Sequence, residues 1–119
     1  MFCEKVMPRW KRLLGSRSSI IAVAEVNNDI IGFAVLRWWF GWNGWLEEIA
    51  VREEFRGRGV GRALMEYLIK HAEEIGYRRI CLATQSEKAE RFYSKFNAVL
   101  IGEIPDEEVG KLKLYYITI

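Results

Sequence analysis

The chain mixes two periods of apolar and polar residues, and the shorter period indicates strands. Short runs rich in β-branched and aromatic residues are separated by Gly, Asn, Asp and Pro, which is typical of strands joined by turns. The predicted strands are 20–26, 30–40, 45–51, 79–84, 98–104 and 112–119. The first three are separated by short turn sequences, so we expect them to form an antiparallel meander.

The longer period indicates helices. Apolar residues recur every three or four positions across 60–75, which predicts an amphipathic helix that ends at Gly76. Ser86 is placed to cap a second helix, because its side chain can accept a hydrogen bond from a free N–H of the first turn. A third, short helix is predicted over 8–14, with Pro8 in its first turn.

The order of these elements predicts an α+β fold with a mixed sheet. The strand 45–51, the helix 60–75 and the strand 79–84 should form a right-handed crossover, which makes the two strands parallel. A parallel pair in an otherwise antiparallel sheet can splay at its end and expose backbone N–H and C=O groups to a ligand. With 119 residues, we expect a single domain over 1–119.

The net charge and the cysteine content of the chain limit which kinds of partner we expect it to bind. The formal net charge of +2 gives no strong field for nucleic acid. No apolar run approaches the length of a membrane span, and the N-terminus lacks the apolar segment of a signal peptide. Cys3, Cys81 and the single histidine, His71, have no metal-binding spacing. We therefore expect a cytoplasmic protein without a nucleic-acid, membrane or metal partner.

A glycine-rich segment, Arg-Gly-Arg-Gly-Val-Gly at 56–61, joins the strand 45–51 to the helix 60–75. Its three glycines leave the backbone open to a ligand, and the helix start adds free N–H groups and a partial positive charge. Such a turn is suited to bind phosphate. Its spacing differs from that of the P-loop and from that of the dinucleotide fingerprint. For this segment by itself, a glycine-rich turn without a ligand remains the alternative.

The same segment resembles the coenzyme A pyrophosphate loop of the GNAT superfamily (Gcn5-related N-acetyltransferases). It fits the family pattern Arg/Gln-x-x-Gly-x-Gly/Ala at Arg56, Gly59 and Gly61. A second segment, 89–96, is similar to the family motif A-x-x-F-Y-x-K/R-x-G-F, with Asn97 in place of its glycine. Asparagine is the next best residue for a left-handed helix end, so the turn is preserved.

By element order the resemblance extends over about 20–119. It implies a GNAT-like three-layer α/β/α arrangement, with a mixed central sheet of about six strands and a splayed parallel pair. It also implies an N-acetyltransferase that moves an acetyl group from acetyl-CoA to a primary amine. The amine would attack directly in a ternary complex, without a covalent enzyme intermediate and without a metal.

The resemblance further implies which residues bind acetyl-CoA. The strand end would pair its backbone with the pantetheine arm, and the glycine loop and first helical turn would hold the pyrophosphate. The expected cofactor-binding residues are Ile49, Ala50, Val51, Arg56, Gly57, Arg58, Gly59, Val60, Gly61, Arg62, Ser86 and Tyr93.

Three residues are the catalytic candidates. Tyr93 stands at the family position that commonly faces the thioester sulfur, where it would donate a proton to the departing thiolate. Glu47 and Glu48 are candidates for the base, but adjacent strand residues point to opposite faces, so both should not share one role. The pair also resembles an acidic pair in polyamine-type members of the family. The expected acceptor is therefore a small-molecule or peptide amine, including polyamine and lysine-like amines.

Several alternatives stay open at this point. Only about 19 residues precede the first predicted strand, which leaves the acceptor side open or completed by a second subunit in a homodimer. Three roles are open for the aromatic residues around 38–45. They can pack in the core and across the hairpin, they can form a wall for a substrate cation, or they can form a dimer surface. The alternative function is a catalytically weak acyl-CoA-binding sensor or interaction module. An RNA-binding module that uses Arg56 and Arg58 has less support.

Overall fold

The computed structural model describes residues 5–12 and 18–119, with side chains described from residue 19 onward. In this part of the chain the strands are β1 (Lys5–Arg12), β2 (Ser18–Val26), β3 (Asp29–Phe40), β4 (Asn43–Val51), β5 (Arg79–Thr84), β6 (Val99–Asp106) and β7 (Gly110–Thr118). The helices are α1 (Val60–Ile75) and α2 (Glu87–Ser94), and a 3₁₀ turn at Glu53–Phe55 precedes α1. Neither described helix has the length and apolar character that crossing a membrane requires.

The seven described strands form one mixed sheet in the order β1-β2-β3-β4-β5-β7-β6. β4 and β5 run parallel, and the other neighbouring strands run antiparallel. β2, β3 and β4 form the predicted meander, and α1 connects the parallel strands. The predicted α+β class with a mixed sheet is confirmed.

The parallel strands separate soon after their pairing begins. They are in register at three positions, from Asn43 opposite Arg79 to Trp45 opposite Cys81. Both strands then continue without pairing to each other, and β4 runs on to Val51. This is the predicted splay, and it opens a wedge between β4 and β5.

The core lies between α1 and one face of the sheet. The buried stripe of α1 consists of Val60, Leu64, Met65, Leu68 and Ala72. The same core takes in fully buried residues of β2 and β3, among them Ile20, Ala22, Ala34 and Leu36. Gly32 of β3 permits the close approach of α1, because a Cβ at Gly32 would lie 2.9 Å from Ala50 O and 3.3 Å from Leu64 Cδ1.

Three turn and cap residues behave as their types predict. Gly76 ends α1 with φ of 104°, and its N–H donates to two carbonyls of the last turn. Ser86 caps α2, since its hydroxyl oxygen accepts from Ala89 N–H at 3.2 Å. Asn97 has φ of 60°, the left-handed conformation expected after α2. These local predictions are confirmed.

The helix predicted over 8–14 is wrong. Residues 5–12 form the edge strand β1, which pairs antiparallel with β2, whereas residues 13 and 14 lie outside the described residues. Pairing with a neighbouring strand outweighs the local helix signal. Pro8 is compatible with this placement because an edge strand does not need every N–H for its ladder. A strand therefore precedes β2, where the sequence predicted none.

Gly32→Ala should lower the free energy of unfolding by about 1–3 kcal/mol, because the added methyl group meets a backbone oxygen that cannot move aside. Gly102→Ala is the matched control: Gly102 also lies in a strand, but a Cβ there meets nothing within 4 Å. The control should change stability by less than about 0.5 kcal/mol. Chemical denaturation measures both, and equal effects would contradict the proposed steric role of Gly32.

Candidate active site

The free edge of β4 faces the wedge beyond Trp45. On its other side β4 stays paired with β3 as far as Val51. Ile49 and Ala50, which the sequence predicts to contact the pantetheine arm, therefore lie where β5 no longer supplies backbone partners. The carbonyl of Val51 is already engaged, because Arg56 Nε donates to it at 3.0 Å. Arg56 thereby ties the glycine loop to the end of β4.

The glycine loop is open toward solvent. Gly57 and Gly59 adopt left-handed conformations, with φ of 73° and 84°, and a Cβ at either position would meet nothing within 4 Å. α1 begins directly after Gly59, and Ala63 N–H donates to Gly59 O at 3.0 Å. The N–H groups of residues 60–62 precede this first helical hydrogen bond, so the loop end of α1 is suited to bind an anion.

The two other arginines of this region also have contacts. The guanidinium carbon of Arg58 lies 5.5 Å from the centroid of the Phe55 ring. Arg62 Nε lies 2.9 Å from Glu66 Oε1, one helical turn further along α1. These exposed contacts are weak in energy and can be exchanged for contacts to a phosphate. The structure thus groups the predicted pyrophosphate-binding residues around one open loop.

Gly61 has a different role from the other two glycines. A Cβ at Gly61 would lie 3.3 Å from Phe92 Cε1 of α2, which is tighter than most side-chain contacts. The missing side chain lets α2 approach the first turn of α1. Phe92 and Tyr93 form an edge-to-face pair with ring centroids 5.3 Å apart, so this approach also positions Tyr93.

Tyr93 is buried in the core at the wedge, with 7% of its surface exposed. Burial raises the pKa of Tyr93, and the negative charge of Glu48 raises this pKa further. The phenol therefore keeps its proton at neutral pH. Tyr93 and Glu48 lie on different elements, and the effect of Glu48 on this pKa indicates that the fold brings the two side chains near each other.

A β-bulge determines where the two glutamates point. The register of β4 against β3 shifts between Leu46 and Glu48, which leaves Glu47 as an extra residue without a partner. Glu48 pairs with Val35, and cross-strand partners lie on the same face. Val35 alternates with residues buried against α1, so Glu48 lies on the face away from α1.

Glu47 lies on the same face as Glu48. Its Oε2 is 2.7 Å from Nε of Arg37, which is two residues from Val35 on β3 and shares its face. The expectation that the glutamates would point to opposite faces is wrong, because the bulge interrupts the alternation of neighbouring side chains. Glu47 is ion-paired, whereas Glu48 forms no ion pair within the described part of the chain.

Ser86 stands at the end of β5, near the mouth of the wedge. Its hydroxyl oxygen serves as the N-cap of α2, and its N–H donates to Thr84 Oγ1 at 3.1 Å. The hydroxyl proton is not used by either bond. A contact between Ser86 and a cofactor stays a prediction.

A cavity of about 450 Å³ lies apart from these residues, between α2 and the β6–β7 hairpin. It is lined by Glu87, Glu90, Arg91, Ser94, Ala98 and Tyr115. Glu90 already pairs with Lys113 Nζ at 2.8 Å and accepts a hydrogen bond from Tyr115. Hydrogen bonds from Lys113 and then Tyr115 lower the pKa of Glu90. The carboxylate of Glu90 already has two partners, Lys113 and Tyr115, so we do not take this cavity as the candidate site.

The comparison with known proteins identifies the family. The model of the acetyltransferase (GNAT) family matches residues 2–98. The chain belongs to the GNAT family of acetyltransferases. This GNAT protein contains no group of three or more His, Cys, Asp or Glu side chains arranged for a metal ion within its described residues.

Named relatives support this placement. Streptothricin acetyltransferase A of Bacillus subtilis (strain 168) is 34% identical over 79 residues, which cover 63% of this GNAT chain and 44% of the relative. The chain thus spans less than half the length of that relative. A Bacillus anthracis protein assigned as a streptothricin acetyltransferase, solved with acetyl coenzyme A, is 26% identical with a TM-score of 0.80. That match covers 89% of this chain and 65% of the other.

A further structure supports the fold alone. A GNAT family acetyltransferase from Elizabethkingia anophelis, solved with acetyl-CoA bound, is 18% identical with a TM-score of 0.74. The match covers 98% of this GNAT chain and 99% of the other.

Sequence reasoning missed Arg37, which holds Glu47, and the bulges of the β3–β4 hairpin. The register pairs Arg37 with Trp45, as uninterrupted pairing of β3 with β4 would predict. The contact between Arg37 and Glu47 depends on the extra residue in β4. No residue type in 45–48 marks that insertion, so the sequence offered no signal for it.

Gly59→Glu should abolish measurable binding of acetyl-CoA, because a carboxylate on the open loop would repel a phosphate. Gly110→Glu is the matched control: Gly110 has φ of 85°, is equally open, and lies in the distant β6–β7 turn. Both changes should strain the backbone alike, which thermal melts measure. Titration calorimetry should show lost binding only for the first, and normal binding by Gly59→Glu would contradict the loop assignment.

Proposed function

We propose that the protein transfers the acetyl group of acetyl-CoA to a primary amine by direct attack within a ternary complex. The observation that supports this best is the wedge between β4 and β5. An open anion-binding loop lies at one end of it, and Tyr93 and Glu48 interact at the other. The proposal covers residues 1–119 as one domain, since β1 to β7 belong to a single sheet.

The proposed contacts are arranged along the wedge in the same order as the parts of acetyl-CoA. The pyrophosphate would lie against the loop and the first turn of α1, where the N–H groups of residues 60–62 can bind it. The pantetheine arm would follow the free edge of β4 past Ile49 and Ala50. The thioester then reaches the level of Glu48. The complex of the Bacillus anthracis relative with acetyl coenzyme A supports this assignment of the cosubstrate.

The chemistry needs one base and one acid. Glu48, directly or through a water molecule, would take a proton from the incoming ammonium group, and the free amine would attack the thioester carbon. When the tetrahedral intermediate collapses, the C–S bond breaks and the thiolate of coenzyme A leaves. Tyr93 would donate its proton to that sulfur, because its raised pKa keeps the phenol protonated until then. The phenolate would take back a proton, through water, from the positively charged nitrogen of the new amide, which leaves that nitrogen neutral.

The proposed acceptor is a small-molecule or peptide amine. The names of two relatives point to streptothricin as their acceptor, and streptothricin therefore belongs among the candidates for this protein. Polyamine and lysine-like amines stay candidates as well. The ion pair of Glu47 with Arg37 reduces the support for a paired-acid polyamine site, since only Glu48 is left uncompensated among the described glutamates of β4.

A homodimer and a cytoplasmic location are also part of the proposal. β6 is an edge strand, and its side chains Val99, Leu100 and Ile101 are each about half exposed. Such an edge supports a second copy of the chain as a partner. Cys81 is a buried free thiol, which agrees with a reducing compartment.

Glu48→Gln should lower kcat/KM for the amine by about a hundredfold at neutral pH, because the amide cannot accept the proton. Glu47→Gln is the matched comparison on the adjacent residue and should lose less than about tenfold. Steady-state kinetics with a panel of primary amines measures both. Equal losses would contradict the assignment of Glu48. Tight binding of acetyl-CoA without turnover on any amine would favour the sensor function.

Tyr93→Phe should lower kcat by about a hundredfold and leave the affinity for acetyl-CoA unchanged, because only the departing thiolate needs the proton. Burial and the charge of Glu48 raise the pKa of Tyr93, so the proton of this donor is lost only as pH rises above the ordinary titration range of tyrosine. The wild-type rate should therefore fall only above that range. Tyr115→Phe, a second tyrosine with a raised pKa but bonded to Glu90, is the control. Unchanged kcat in Tyr93→Phe would contradict the acid role.

A further inference from the structure

A second β-bulge, in β3, crowds aromatic side chains onto the face that carries both glutamates. Trp38 pairs with Gly44 and Phe40 with Asn43, so Trp39 is an extra residue without a partner. The Trp39 ring lies 4.9 Å from that of Trp45 and 4.8 Å from that of Phe40. Trp45 shares a face with Arg37, away from α1. We call Trp39, Phe40 and Trp45 the aromatic wall.

Two residues of the aromatic wall are more exposed to solvent than large aromatic side chains usually are. Trp39 is 46% exposed and Phe40 is 54% exposed. Clustered apolar surface of this kind marks a binding site more often than isolated exposed residues do. The wall also adjoins the proposed reaction site directly, because Trp45 is the last residue of β4 before the wedge opens.

The register of the hairpin gives the distance between the wall and the base. Trp45 pairs with Arg37, and Glu48 pairs with Val35, two residues further along β3. At about 3.3 Å per residue, the wall and Glu48 are about 7 Å apart along the sheet. A small acceptor can therefore contact both at once.

The charges around the wall indicate what it binds. Arg37 compensates Glu47 at 2.7 Å. Arg79 pairs with Asn43 beside the wall, and its charge acts on Cys81 of the same face. Among the charges named here, the two arginines equal the two glutamates in number, so this face carries no excess negative charge to favour a second cation, and Glu48 stays available for the amine. Exposed, mutually inclined rings on a face without net charge favour a flat, uncharged group, which can pack against a ring face or edge.

We infer that the acceptor is a primary amine that carries a flat, uncharged ring about 7 Å from the reacting nitrogen. The ring stacks on Trp39 and meets the edge of the Trp45 ring, which is inclined to it, and the amine reaches Glu48. This inference rests on the proposed acetyl transfer and names the acceptor class for that site. The wall selects among acceptors and takes no part in the chemical step.

The test compares acceptors across two matched variants. Arylalkylamines with spacers of increasing length are paired with plain alkylamines and with diamines of similar length. Trp39→Leu should raise the KM of the best arylalkylamine about tenfold, and change that of the alkylamines by less than about twofold. Trp42→Leu is the control, since Trp42 is 45% exposed on the same hairpin but lies against Gly76 of α1. Trp42→Leu should leave the KM of the arylalkylamine and the KM of the alkylamines unchanged.

A second readout does not depend on turnover. Calorimetric titration of the best arylalkylamine in the presence of coenzyme A should show about tenfold weaker binding to Trp39→Leu, and an intermediate loss for Trp39→Phe. Ring-dependent binding without turnover would support the wall and refute acetyl transfer. Preference for diamines, equal effects on all amines, or a change in oligomeric mass without a change in affinity would each overturn the inference.

Discussion

The early end of the pairing between β4 and β5 is the constraint on which the site depends. If the two strands stayed paired beyond Trp45, the edge of β4 would be consumed by the sheet and no ligand could bind there. The bulge at Glu47 lies two residues after Trp45, the last residue of β4 that pairs with β5, and a bulge bends and twists the strand that contains it. The backbone geometry of β4 thus agrees with the place where the wedge opens.

Close packing holds that geometry in place. Gly32 lets α1 lie against β3, and Gly61 lets α2 lie against α1, in both cases because a side chain would collide with a neighbour. α1 therefore presents its first turn at the mouth of the wedge, and α2 presents Tyr93 inside it. Cores of this density resist added volume, so the two helices act as a rigid frame around an open cleft. The loop glycines serve a separate purpose, since Gly57 and Gly59 face empty space.

The two bulges of the β3–β4 hairpin act on the same face of the sheet. Each inserts one residue, and each thereby places two consecutive side chains together: Glu47 with Glu48, and Trp39 with Phe40. A regular hairpin of the same sequence would divide these residues between the core face and the outer face. The face away from α1 would then lack one of the two glutamates and one ring of the aromatic wall. Bulges are a compact means to concentrate chemistry on a short strand.

Local features were predictable from residue type because their physical causes are local. The helix over 60–75, the cap at Ser86 and the left-handed turn at Asn97 each follow from a few adjacent residues, and the glycine pattern indicated the family. The strand β1 and the bulges could not be predicted in this way, because both arise from pairing with a distant strand. Sequence by itself determined the family, the element order from β2 onward and the candidate residues. Only the tertiary structure decided that Glu47, Glu48 and the aromatic wall share one face, since register is a property of two strands together.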